Sequence, residues 1–235
     1  MGFKAWPEKL VQAFPLPGWC FGCQSFLPRA KRPWLCQSCL DKLPYWQEGI
    51  CLSCGHFHNL GDCQEDWSLV LDHFHAVFAY LDPIQEWLSR FKYGGNLNGG
   101  RILKALLEEY LRLHPRMFVS VDLIFAVPSH GEKLVKRGMN VPAYLLDQIG
   151  ITPSHEGVKK VKITHSQAGL HLKERAQNLS RAFVADPKIV EGKKVMLFDD
   201  VCTTGATLEE LALALKRAGA ESVGAFVLAR AVKGG

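Results

Sequence analysis

The chain reads as an α/β protein, a parallel sheet with covering helices preceded by a small cysteine-rich module, and three observations carry that reading. A continuous apolar run at residues 195–198 and a largely apolar one at 121–127, interrupted by Asp122, have the pattern of buried parallel strands and alternate with amphipathic helical stretches. Seven of the eight cysteines precede that alternation, which begins near residue 72. A length of 235 residues holds one α/β domain of average size plus a small module. The expected division is a module over residues 1–66 and an α/β domain over 72–235.

Composition narrows the function classes. Apolar content of 48% and charged content of 22% are those of an ordinary globular protein. A net charge of +5 suits binding of phosphates or nucleic acid, and is far from that of a dedicated DNA-coating protein. No apolar run approaches the roughly eighteen residues of a membrane helix. The first twenty residues lack the sustained apolar core of a signal peptide, and Trp6 stands where a myristoylation signal needs Ser or Thr. A cytoplasmic protein without a membrane span is expected.

The module comes first. Cys20-x-x-Cys23, Cys36-x-x-Cys39 and Cys51-x-x-Cys54 form three pairs, followed by Cys63 alone. Without a secretion signal such pairs indicate metal rather than disulfides. Two Cys-x-x-Cys turns complete a tetrahedral zinc site with Zn–S distances of about 2.3 Å, so Cys20, Cys23, Cys36 and Cys39 are assigned to one structural zinc. Cys51, Cys54 and Cys63 offer three ligands for a second, with His56 or His58 as the fourth; a decayed site holding no metal is the competing reading. Few long apolar stretches lie in this part of the chain, so zinc would supply folding free energy that a thin core lacks. Arg29, Lys31, Arg32 and Trp34 place basic residues beside an aromatic, either as a nucleic-acid contact or as a solvated loop.

The domain follows. Residues 74–80 read as a strand, 84–91 as a short helix and 101–114 as an amphipathic helix, with residues 91–96 as a glycine-containing turn in which Lys92 meets a phosphate or solvent. The strand over 121–127 ends in Pro128, Ser129 and His130, ahead of Lys133, Lys136 and Arg137. Residues 155–183 are polar and contain glycine, a length that is unusual between strands unless it has a task, such as a lid over a reactive ligand.

The richest stretch is residues 195–207: an apolar strand, then Asp199 and Asp200, then a small hydroxyl-rich turn opening a leucine-spaced helix from Ala206, before a last strand over 222–229. Ligands of open α/β sheets bind beyond the carboxyl ends of strands, and the amides opening a helix attract anions. Thr203, Thr204, Gly205, Ala206 and Thr207 suit a monophosphate. The acids would repel that phosphate, but they suit sugar hydroxyls, directly or through Mg²⁺. Cys202 reads as filler rather than a nucleophile.

This segment resembles the signature of type I phosphoribosyltransferases, which bind 5-phosphoribosyl 1-pyrophosphate (PRPP). The resemblance implies that fold, with Asp199 and Asp200 on the ribose and residues 203–207 on the 5-phosphate. It also implies Pro128, Ser129 and His130 on the pyrophosphate, with Lys136, Arg137 and Asn140 nearby and Arg137 among the PRPP-binding residues. Together with the cysteine pairs, Phe91-Lys92-Tyr93-Gly94-Gly95, Arg137-Gly138-Met139-Asn140 and Gln167-Ala168-Gly169-Leu170 make the chain similar to the ComF (ComFC, GntX-like) family over roughly residues 20–230. It departs from that family at Met139 and Val141, in place of Phe and Gln, and in the reduction of the last cysteine pair to Cys63. The family implies a cytoplasmic accessory role in natural transformation, with single-stranded DNA and uptake machinery such as a helicase as partners. An active Mg-dependent phosphoribosyltransferase acting on an unidentified acceptor is the alternative, and no catalytic residue is assigned.

Overall fold

The computed structural model describes residues 18–28, 34–46, 70–94, 97–128, 138–161 and 182–232. A small antiparallel pair, β1 (Gly18–Trp19) and β2 (Phe26–Leu27), precedes the one-turn helix α1 (Gln37–Leu40). The main sheet has four parallel strands in the order β3 (His73–Ala79), β8 (Ser222–Arg230), β7 (Lys194–Cys202) and β4 (Leu123–Ala126). Between these strands lie α2 (Ile84–Gly94), α3 (Leu97–Leu113), α4 (Val141–Gln148), α5 (Pro187–Val190) and α6 (Ala206–Arg217). A separate antiparallel pair, β5 (Val158–Lys160) and β6 (Phe183–Ala185), brackets in sequence the segment expected to be a lid, most of which lies outside the described residues.

Both faces of the sheet are buried, which is why its strands read as continuous apolar runs. Val77, Met196, Phe198, Phe226 and Leu228 pack with Leu88, Leu103, Leu107 and Leu145 of α2, α3 and α4. The alternate residues Ala76, Val195, Leu197, Val223, Ala225 and Val227 pack with Leu208, Leu211 and Leu215 of α6. Strand β7 runs further than its apolar residues: Asp199, Val201 and Cys202 pair with Val227, Ala229 and Arg230 of β8. Backbone pairing carries the strand past the point where its side chains turn polar.

The cysteine-rich segment shares the first of these cores. Cys20, Leu35 and Leu43 are buried in one cluster with Trp87 and Phe91 of α2, and the Phe21 ring meets Trp87 edge-on at 5.5 Å. The Ala79 amide donates to the Pro44 carbonyl at 2.7 Å and the Trp46 amide to the Val77 carbonyl at 3.0 Å, so residues 44–46 run along the outer side of β3.

Helix α3 starts earlier than its hydrophobic spacing suggests, because Gly99 and Gly100 let it approach α2. A Cβ at Gly99 would stand 2.8 Å from the Trp87 carbonyl oxygen, and one at Gly100 would stand 2.6 Å from the Phe91 ring. Alanine gains about 1 kcal/mol of helix propensity over glycine, but a backbone oxygen cannot step aside. Gly99→Ala is therefore expected to lower stability by about 1–2 kcal/mol net, read as a lower urea midpoint at unchanged slope.

Candidate functional site

The interior strand β7 delivers Asp199 and Asp200 to the carboxyl edge of the sheet, and the chain then turns through Thr203, Thr204 and Gly205 into α6. Gly205 has φ 81°, a left-handed conformation that glycine adopts without strain. Gly205 has no side chain to cap α6, and the Ala206 amide donates to Thr204 Oγ1 at 3.4 Å. The opening residues of α6, Ala206, Thr207 and Leu208, line a solvent-open pocket together with Asp199, Cys202, Thr203 and Thr204.

Strand alternation sends the two adjacent acids to opposite faces. Asp199 lines the loop pocket, and its Oδ1 accepts the Asp200 amide at 2.8 Å. Asp200 pairs with Lys92 of α2, Nζ to Oδ2 2.8 Å, each side chain only 10% exposed. Lys92, expected beside phosphate or solvent from its place in the sequence, is paired with a carboxylate of the signature itself.

A second buried cation supports the loop from the neighbouring strand. Arg230, 2% exposed at the end of β8, donates from its guanidinium to the Cys202 carbonyl at 3.2 Å and to the Thr203 carbonyl. Cys202 is buried, and burial first of all pushes its thiol up to about 11. A neutral, enclosed thiol is no nucleophile.

Beside the loop, at the end of β4, a cleft open to solvent is lined by Phe125, Pro128, Asn140, Ser154, His155 and Leu211. Asn140 serves the fold there: its Oδ1 accepts the Ala143 amide at 3.1 Å as the cap of α4, while Nδ2 donates to the Val127 carbonyl at 3.1 Å. Ser129, His130, Lys133, Lys136 and Arg137 lie outside the described residues.

The first two cysteine pairs converge. The sulfur atoms of Cys20, Cys23, Cys36 and Cys39 all lie within 4.8 Å of one another, and Cys23 Sγ stands 3.7 Å from Cys36 Sγ. Tetrahedral zinc with Zn–S of about 2.3 Å needs sulfurs about 3.8 Å apart, so these residues fit that ion. The Cys36 amide donates to Cys20 Sγ at 3.3 Å. The Ser25 hydroxyl, 3.1 Å from Cys23 Sγ, and the Ser25 amide hold the Cys23 thiol down to about 6. Burial, then the neighbouring cysteines, pushes Cys39 up to about 12. Four thiols this close cannot all ionise without a cation among them. Cys51, Cys54, Cys63, His56 and His58 lie outside the described residues, as do Arg29, Lys31 and Arg32, whereas Trp34 is half-buried.

Two features escape a reading of the sequence. The Lys92–Asp200 pair joins residues far apart in the chain and leaves no local trace. Arg230 does leave one, as the single charged residue closing an otherwise apolar strand. Among the described residues no helix is long and apolar enough to cross a membrane.

Comparison with known proteins agrees with this architecture. Residues 100–234 match the phosphoribosyl transferase domain family. The chain is 30% identical to competence protein F of Haemophilus influenzae over 231 residues, which cover 90% of this chain and 96% of that protein. It is 30% identical to competence protein ComFC of Bacillus subtilis, over 83% of this chain and 84% of that one. To the DNA utilization protein YhgH of Shigella flexneri it is 27% identical, over 92% and 98% respectively.

Proposed function

Because the chain belongs to the phosphoribosyl transferase domain family and, with competence protein F and ComFC, to the ComF family, we propose that it is a cytoplasmic competence accessory protein. In this reading it binds PRPP or a related sugar phosphate and assists the handling of single-stranded DNA. The observation that carries the ligand is the start of α6 behind a left-handed Gly205, which opens into one pocket with Asp199 and the Thr203, Thr204 and Thr207 side of the loop. The 5-phosphate sits on Thr203, Thr204, Gly205, Ala206 and Thr207, and the ribose hydroxyls on Asp199 and Asp200. Pro128, Ser129, His130 and Arg137 take the pyrophosphate. Mg²⁺ accompanies PRPP and offsets its charge. Zinc holds the Cys20, Cys23, Cys36 and Cys39 cluster, in a module of residues 1–66 ahead of the domain of residues 72–235.

The DNA-handling part draws support from two aromatics on the cysteine-rich segment. Trp19 and Phe26 are 65% and 56% exposed, on facing strands, with ring centroids 5.5 Å apart. Exposed rings on a basic chain suit unstacked bases. DNA-uptake machinery, such as a helicase, is the partner class for this role.

Titration of the zinc-loaded chain with PRPP and Mg²⁺ tests the ligand. Asp199→Asn is expected to weaken PRPP by about tenfold or more, the loss of one hydrogen bond to a charged group. Undiminished binding in that variant would remove the ribose assignment. Titration with 5′-phosphorylated single-stranded DNA tests the second part, and its affinity should fall steeply with salt. Pyrophosphate release in the presence of a panel of bases should be absent; steady turnover would make the protein a transferase instead.

A further inference from the structure

The geometry points to Lys92 as a positioning residue that aims Asp200 at sugar hydroxyls, so that the site selects a ribose phosphate over phosphate alone; this rests on the sugar-phosphate reading above. Lys92 stands in the last turn of α2, outside both the strand and the loop assigned to the ligand. Its ammonium reaches Asp200 at 2.8 Å in surroundings that leave 10% of either side chain exposed, where water and salt screen poorly.

The pair answers a difficulty of sign. Two carboxylates beside a phosphate site repel the ligand that the α6 amides attract. Lys92 cancels the charge of Asp200, leaving Asp199 as the acid that lines the loop pocket. A carboxylate offers about four acceptor positions over its two oxygens, so one ammonium fixes Asp200 without exhausting it for a hydroxyl.

Lys92 is also held rigidly enough to position another group. The preceding residue, Phe91, is 3% exposed; its ring packs on Gly100 of α3 and lies 5.3 Å from the Tyr144 ring of α4. Three helices therefore fix the point from which the lysine extends.

The two roles open to such a lysine separate by ligand. An ammonium touching the phosphate strengthens every phosphate alike. One acting through Asp200 strengthens only ligands that carry hydroxyls.

The experiment titrates ribose 5-phosphate and inorganic phosphate into the full chain as wild type, Lys92→Met, Lys92→Arg, Asp200→Asn and the Lys92→Met/Asp200→Asn double variant. Lys92→Met is expected to lose about tenfold in affinity for ribose 5-phosphate while inorganic phosphate stays within about twofold, and Lys92→Arg, which keeps a charge for the carboxylate, to recover most of the loss. The double variant should match Asp200→Asn within about twofold, because the lysine has nothing left to aim. Should Lys92→Met fail to fold around its unpaired carboxylate, or Asp200→Asn around its unpaired ammonium, Lys92→Gln, which keeps a donor for the carboxylate, decides: it must lose affinity for ribose 5-phosphate while inorganic phosphate stays within about twofold, and parallel losses overturn the inference. Parallel losses for both ligands, or a double variant clearly weaker than Asp200→Asn, overturn the inference. A preference for ribose 5-phosphate that survives in Lys92→Met overturns it alone, whereas a wild type without that preference removes the sugar-phosphate reading and this inference together.

Discussion

Arg230→Met is expected to lower stability by about 1–3 kcal/mol and to abolish PRPP binding, although the residue lies outside the segment assigned to the ligand. The guanidinium donates to the carbonyls of Cys202 and Thr203 at the point where β7 becomes the loop. Methionine fills much of the same volume but offers no donor. The Cys202 carbonyl keeps the Ala231 amide at 2.8 Å, so the bonds at stake are its second one and that of the Thr203 carbonyl, and leaving one carbonyl unpaired costs about 1–3 kcal/mol. The loop can recover those bonds only by turning its carbonyls toward water, which also turns the amides that would hold a phosphate. Urea denaturation reads the first effect and PRPP titration the second. A variant of wild-type stability that still binds PRPP would show that the loop keeps its shape without Arg230.

With zinc in the four-cysteine cluster, as proposed, its withdrawal should have an effect of similar or larger size. Structural zinc contributes about 10–16 kcal/mol of apparent binding free energy in isolated finger peptides near neutral pH. Here the four-cysteine cluster is continuous with the core: Cys20, Leu35 and Leu43 are buried in the cluster that contains Trp87, Phe91 and Phe226. Chelation, or Cys39→Ser, is therefore expected to lower the melting temperature of the whole chain by about 10 °C or more, since about 1 kcal/mol moves a domain of this size by 2–4 °C. An unchanged transition would mean that the sheet is indifferent to the cluster. The sign of the pH dependence follows from the thiols. Metal binds thiolate, so protons leave as it binds and apparent affinity rises with pH. Cys23, with its thiol held at about 6, is largely ionised near neutrality and contributes little to that slope, while Cys39, pushed up to about 12, must surrender a proton to the ion. A zinc competition series from pH 6 to pH 8 should show affinity climbing throughout.

What the sequence disclosed follows from how far apart the interacting residues lie. The strands within 121–127 and 195–198 are legible because two-sided burial writes apolar runs, and the four-cysteine cluster because its members are paired locally. The loop at residues 203–207 was legible for the same reason: its glycine, hydroxyls and following helix are contiguous. The hydrophobic spacing starts α3 at residue 101, since Asn98, Gly99 and Gly100 have turn chemistry, yet close packing on Trp87 and Phe91 makes them helical. Asp199 and Asp200 were read as one unit because they are adjacent. Strand alternation divides them, and no local pattern announces that Asp200 meets a lysine from another layer.

The run of residues 44–46 along β3 carries a consequence for self-association. In the order β3, β8, β7, β4 the strand β3 is an outer strand, and the hydrogen bonds from Ala79 to Pro44 and from Trp46 to Val77 occupy backbone groups that would otherwise face outward. An outer strand with free amides and carbonyls is a template for pairing with another chain. Wherever the cysteine-rich segment detaches, those groups become available to a second copy, so metal loss would expose a sticky edge as well as weaken the core. The cysteine cluster then acts as a guard of solubility, and aggregation onset in chelator should track metal occupancy.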